Sequence, residues 1–333
     1  MSFRVVFIGA GGRGRHWIRT ITAHEEFQPV AIVDPSEVAH EAVVRDFPDL
    51  NLPAFMSVEE AVEHVKAEVA IISAVSWYRR ENCLAALTAG WHILVEKPFA
   101  LSFEDARAIV DAGYGAGLVV SVGQNYRFSP AIGTMRRIVT SEEFGVVGHG
   151  VFVRHRKRYG KGTYQQTMRH NYLWEMGVHD LDVVRFTMGM KPLRVTGFSF
   201  LPPWGDYTGE TTVCALYEFE HGVKVNYFGA WASHIPEFHW RIDGSGGSLR
   251  LGNGLERGRP EENTWSPVEP LDQAGGDNAL LNELASALRT NGETSTSGRD
   301  NLWTVAMMEA VVRSTEAGGE PVSIVNMVEG SGS

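Results

Sequence analysis

The stretch FIGAGGRGRHW, Phe7 to Trp17, sets glycines at 9, 11, 12 and 14 between the apolar run RVVFIGA and the helically spaced segment RGRHWIRTITAHEE. Glycine weakens strands and helices alike, so four of them in six positions need a reason. The spacing Gly9-x-Gly11-x-x-Gly14 supplies one. Gly9 permits a tight turn, Gly11 lets the backbone approach a pyrophosphate, and Gly14 lets the helix pack close to the strand. The helix start, with Gly12 and Arg13 in its turn, then offers unpaired N–H groups and a partial positive charge to phosphates. Asp34 ends the next strand-like run, PVAIVDP, twenty residues after Gly14. A carboxylate there accepts from both hydroxyls of an adenosine ribose and repels a 2′-phosphate. NAD is therefore the expected cofactor. NADP is less favoured, with Arg13 and Arg15 as the groups that would meet its extra phosphate.

Outward from this turn the grammar is regular. SVEEAVEHV reads as a short helix, with Ser57 as N-cap and Glu60 completing a capping box. VAIISAV, HILVEKP and LVVSVGQN read as buried strands. RRENCLAALTAG, stopped by Gly90, and SFEDARAIVDAGYGAG read as helices between them. Strict alternation predicts a doubly wound parallel sheet, an α/β Rossmann domain over residues 1–122. Beyond it, VVGHGVFVRHR, LRVTGFSF, TTVCALYEF, VKVNYFGAWA, FHWRIDG and SLRLG cluster as strands among few helices. This predicts an α+β second domain over 123–333, with a large open, mostly antiparallel sheet. The Gly- and Pro-rich run from Gly252 to Asn278 reads as a long surface excursion.

The 333 residues are 44% hydrophobic and 21% charged, with a net charge of −10 and two cysteines. That balance disfavours a nucleic-acid partner. The cysteine usage implies neither a disulfide scaffold nor a metal site and fits a reducing cytoplasm. No apolar run is long enough for a membrane span.

Two further segments hold chemistry. VEKP ends the fourth parallel strand, where such sheets bind ligands, so Glu96 and Lys97 are expected at a nicotinamide ribose and a substrate. A lysine there can polarise an oxygen or join a proton relay. In WEMGVHDLD, the residues Glu175, His179 and Asp182 stand at i, i+4 and i+7, on one face of a helix. His179 suits a general base for an alcohol proton, because its ordinary pKa lies near neutrality. Tyr126, Arg127, Arg169, His170 and Tyr172 are candidates for substrate contact, whereas Arg156, Lys157 and Arg158 read as a solvated loop.

The ordered set GAGGRG, AIVDPS, AALTAGWHILVEKP, GQNYRFSP, GVHDLD and IDGSGGSLRL resembles the Gfo/Idh/MocA oxidoreductase family over nearly the whole chain. The resemblance implies a nicotinamide-dependent oxidoreductase acting on a secondary alcohol or ketone of a sugar, polyol or sugar acid. It makes Lys97 the active-site lysine, with a Lys97–Pro98 bond that is often cis, and His179 the catalytic histidine followed by Asp182. Glu175 stands where many members have aspartate. Ser73, Val75 and Trp77 replace the usual turn after the third strand as cofactor contacts. The resemblance also implies a homodimer or homotetramer formed through the second sheet. Two other readings remain open: an NAD-dependent glycoside-cleaving enzyme that oxidises its sugar transiently, and a non-catalytic NAD-binding regulator.

Overall fold

Val5, Val6 and Phe7 of β1 (Phe3–Ile8) are completely buried, as in a strand covered by helices on both faces. The computed structural model describes residues 2–273 and 275–330. After β1 come α1 (Gly12–Thr22), β2 (Phe27–Val33), α2 (Glu37–Asp46), β3 (Ala54–Phe55), α3 (Val58–His64) and β4 (Val69–Ile72). Next are α4 (Arg79–Thr88), β5 (His92–Val95), α5 (Phe103–Gly115) and β6 (Val120–Val122). The strands pair in the order β3-β2-β1-β4-β5-β6, all parallel. The strand order reverses between β1 and β4, and a crevice opens there beyond the carboxyl ends. Ser57 caps α3, accepting from the Glu60 N–H at 3.2 Å. The expected capping box is displaced by one residue, because the Glu60 carboxylate accepts from the Met56 N–H at 2.9 Å rather than from Ser57.

The described residues fall into two units, those within 1–125 and 277–302 and those within 126–276 and 303–330. The expected division at 122 with everything later in one domain is thus corrected for α8 (Gly276–Thr290) and the segment after it. The Val122 N–H donates to the Thr296 carbonyl at 2.9 Å, and the Thr294 hydroxyl donates to Ser121 at 3.1 Å. These bonds add the returning segment to the β6 edge. Periodicity reveals that a helix is amphipathic but not which core its apolar face will meet.

The second unit carries α6 (Pro130–Val139), β7 (Val147–Lys157), α7 (Val178–Met188), β8 (Pro192–Phe200), β9 (Thr212–Phe219), β10 (Lys224–Ala230) and β11 (Ala232–Gly244). It continues with β12 (Gly247–Leu251), β13 (Leu255–Gly258) and β14 (Ser266–Pro267), then the later part of α9 (Gly298–Glu316), β15 (Val322–Ser323) and α10 (Ile324–Glu329). Nine strands form one sheet, β14-β13-β12-β11-β7-β10-β9-β8-β15. All its pairings are antiparallel except β7 with β10. Helices α7 and α9 are pinned to its inner face. The Trp240 indole donates to Thr187 at 3.1 Å, and the Tyr217 hydroxyl donates to the Met307 carbonyl at 3.2 Å.

The run Gly252–Asn278 is not simply an excursion, since β13 and β14 extend the sheet within it. Arg241 and Arg250 pack over the Trp265 ring and hold that edge. Arg156 and Lys157, expected in a loop, belong to β7. Among the described residues, no helix is long and apolar enough to cross a membrane.

Candidate active site

The glycine turn of the first unit shows two kinds of glycine. A Cβ on Gly14 would lie 2.0 Å from the Gly9 carbonyl oxygen, and one on Gly9 would lie 2.5 Å from the Ala74 nitrogen. Gly9 also has φ +95°, which favours glycine. These two are demanded by the protein itself. Gly11 and Gly12 are different, because a Cβ on either meets nothing within 4 Å. Their bareness leaves open space on the cleft side. The N-terminus of α1 has no side-chain cap and no acid in its first turn, so its N–H groups remain suited to an anion.

A cleft of about 550 Å³ runs from Gly9 and Gly11 past Asp34 to Ser73, Val75 and Tyr78. Asp34 is held at its mouth. One carboxylate oxygen accepts from the Ala10 N–H at 2.7 Å and the other from the Ser36 N–H at 3.0 Å. Each oxygen keeps a further acceptor site, the equipment needed for a ribose diol. Ser73 supports the turn by donating to the Gly9 carbonyl at 2.7 Å. The arrangement fits the adenosine and pyrophosphate of a nicotinamide cofactor: Asp34 could hold the ribose and the α1 N-terminus the phosphates. Gly11→Ala should therefore fold normally, since Gly11 has φ −64° and ψ −167°, yet weaken NAD binding by roughly ten-fold or more through obstruction of the pyrophosphate. Thermal melting and NAD titration of the same preparation check this; a lower melting temperature with unchanged affinity would contradict it.

Two expected cofactor contacts are turned elsewhere. The Glu96 carboxylate is 5% exposed and accepts from Arg13 and from the Trp17 indole at 2.9 Å. Arg13 also makes two bonds to Asp277, at 2.9 and 3.0 Å, and lies over Trp17. Burial pushes the Asp277 carboxyl upward, but Arg13, His16 and Asn125 outweigh it and hold its pKa below the usual range. Arg15 pairs with Asp46 at 2.8 Å. Hence Arg13 and Glu96 brace the turn from within, because a buried carboxylate needs charged donors. Trp77 is exposed, and Tyr78 lines the cleft with Pro35, Met56 and Asn82. Those four come from loops and a helix start whose convergence no local spacing signals. Lys97 lies just past β5, half-buried, and its bond to Pro98 is cis.

In the second unit, Leu173–Gly177 form a π turn leading into α7. Its i to i+5 bonding interrupts the expected i, i+4, i+7 face. Glu175 is half-buried and accepts from the Tyr164 hydroxyl at 2.7 Å. His179 is 7% exposed and stacks on Tyr126, with ring centroids 4.1 Å apart and planes at 11°. Asp182 turns inward. It is 1% exposed and takes Arg127 Nε at 2.8 Å, Arg127 Nη2 and the Thr304 hydroxyl at 3.2 Å. Arg127, expected at a substrate, is thereby committed to Asp182.

Tyr172, also expected at a substrate, is fully buried and donates to Asp180 at 2.7 Å. Asp180 was not singled out by sequence, yet it organises the interior beside His179. Tyr227 donates to it at 3.1 Å and Arg154 at 2.6 Å. Burial raises the Asp180 carboxyl, while Arg154 and the two phenols oppose that rise. Arg169 is exposed and pairs with Glu210 at 2.8 Å. Burial alone would raise Glu210, but Arg169 and the His170 N–H bring its pKa down to about 2.

Residues 3–124 match the oxidoreductase family with an NAD-binding Rossmann fold, and residues 132–250 match the GFO/IDH/MocA C-terminal domain. The chain is 29% identical over 273 residues to the 1,5-anhydro-D-fructose reductase of Ensifer adhaerens, covering 79% of this chain and 81% of that one. It is 31% identical over 255 residues to the D-apiose dehydrogenase of Paraburkholderia graminis, covering 70% and 67%. In fold it resembles an oxidoreductase from Agrobacterium radiobacter solved with NAD+, L-tartaric acid and magnesium, with a TM-score of 0.86, 24% identity and coverage of 98% and 100%. A bare glycine turn at a helix start, an acid fixed after the second strand, and two family segments that together span most of the chain lead to one conclusion: this protein belongs to the Gfo/Idh/MocA family of oxidoreductases with an NAD-binding Rossmann fold.

Proposed function

We propose that the protein is an NAD-dependent dehydrogenase that oxidises a secondary alcohol of a sugar or polyol, or reduces the matching ketone. The observation that carries the cofactor choice is Asp34, fixed by two backbone N–H groups at the mouth of the cleft, while Arg13 and Arg15 are each paired with carboxylates. This leaves a ribose diol welcome and a 2′-phosphate opposed by a nearby carboxylate. The substrate class is supported by the names of the relatives, a reductase of an anhydro-sugar and a dehydrogenase of D-apiose.

Bound NAD would supply the hydride acceptor. In this reading His179 is the group that accepts a hydroxyl proton from the substrate, and the Lys97 ammonium is suited to stabilising negative charge that develops on an oxygen. Glu175, oriented by Tyr164, offers an acceptor to a neighbouring substrate hydroxyl. A homodimer through the second sheet is supported by its outer face, where Phe198, Phe200 and Leu216 are exposed.

A panel of polyols, aldoses, inositols and sugar acids, followed by NADH absorbance with NAD and NADP in parallel, tests the reading. Asp34→Ser should lose roughly ten- to hundred-fold in NAD affinity, the range for hydrogen bonds to a charged group, and should narrow the preference over NADP. Equal use of both cofactors by the unaltered enzyme would overturn the NAD assignment. Binding of NAD without turnover of any member of the panel would favour a non-catalytic role.

A further inference from the structure

Tyr126 and Arg127 are adjacent in a single 3₁₀ turn, Asn125–Phe128. Both engage helix α7, and at two points three residues apart. The Tyr126 ring lies face to face with the His179 imidazole at 4.1 Å. The Arg127 guanidinium, 3% exposed, grips the buried Asp182 carboxylate through Nε and Nη2. A bidentate guanidinium–carboxylate pair fixes orientation as well as distance. Asp182 is itself held by the Thr304 hydroxyl from α9. The anchor is therefore rigid, and Tyr126 is set by its neighbour in sequence.

From this arrangement we propose that Tyr126 is a positioning residue for His179, holding the imidazole plane from one face while Arg127 and Asp182 lock the turn that carries it. The proposal rests on His179 being the general base. It moves Tyr126 and Arg127 from direct substrate recognition to control of that base. The separation of tasks follows from the contacts: the ring face of Tyr126 is used by His179, and the guanidinium of Arg127 by Asp182. Proton transfer is sensitive to such placement, because small misalignments of a catalytic group reduce rate without abolishing binding.

Tyr126 is 36% exposed, so its replacement is expected to leave the fold intact, and thermal melting verifies this for each variant. Tyr126→Leu removes the ring, whereas Tyr126→Phe keeps the ring and removes only the hydroxyl. Tyr126→Leu should lower kcat roughly ten- to hundred-fold with little change in KM. Tyr126→Phe should recover most of that loss. A second measurement needs no substrate. The carbon-bound ring protons of His179, shielded by the tyrosine face in the NMR spectrum, should move downfield in Tyr126→Leu and stay in place in Tyr126→Phe.

If Tyr126→Phe is as damaging as Tyr126→Leu and raises KM, the hydroxyl meets substrate and the proposal fails. Unmoved His179 resonances in Tyr126→Leu also overturn it. Should the resonances behave as expected while no polyol is oxidised by the unaltered protein, the dehydrogenase reading fails and the stacking clamp stands.

Discussion

His179→Ala should lower kcat for alcohol oxidation by roughly 10²–10⁴-fold, the usual contribution of a positioned general base, with the NAD dissociation constant changing less than about three-fold, because Asp34 and the glycine turn, proposed to hold NAD, keep their own contacts. Lys97→Ala should fall in the same range if, as proposed, its ammonium stabilises the developing oxyanion. Steady-state kinetics on the best polyol of the panel, with NAD titrated separately, decide the matter. Near wild-type turnover in either single variant would remove that residue from the mechanism.

Asp180→Ala should destabilise the protein by about 3–5 kcal/mol, the cost of breaking a buried ion pair by deleting one member. Asp180 is completely buried and receives Arg154, Tyr172 and Tyr227. Its loss strands the Arg154 guanidinium, which desolvation already disfavours and Asp180 stabilises. The two phenols lose an acceptor but remain within hydrogen-bonding reach of each other. Replacing both ends of the ion pair, Arg154→Met with Asp180→Leu, should therefore recover much of the deficit, because an apolar pair of similar volume avoids the desolvation penalty. Denaturant unfolding of the two variants beside the parent measures this. A single Asp180→Ala variant within about 1 kcal/mol of the parent would show that the cluster contributes far less than a buried pair normally does.

Much of the site's first half was legible because its logic is local. Gly9 and Gly14 are excluded from having side chains by backbone within one strand–turn–helix unit and the neighbouring strand. Asp34 follows from the register of β2 beside β1. The second half was only partly legible. His179 was recognisable as a candidate base, but the regular helix assumed around it was not the local structure, since a π turn precedes it and carries Glu175. Asp182 proved to be an anchor for Arg127. Asp180, flanked by more conspicuous residues, gave no signal of its own, because a buried acid differs from an exposed one only in the donors that surround it.

By itself, then, the chain's order of residues determined the parallel sheet of a nucleotide-binding fold, the bare glycine turn, the acid that ends the second strand, and the presence of a lysine and a histidine suited to alcohol chemistry. Those features rest on backbone sterics and short-range period, which operate between near neighbours. Tertiary structure alone decided how each charge was used. It drew Arg13 to Glu96 and Asp277, which lie 83 and 264 positions away. It also sent 277–302 back to the first unit and laid Tyr126 against His179. A charged or aromatic side chain far from its partner in sequence acquires a role only when burial removes water and leaves one neighbour able to satisfy it.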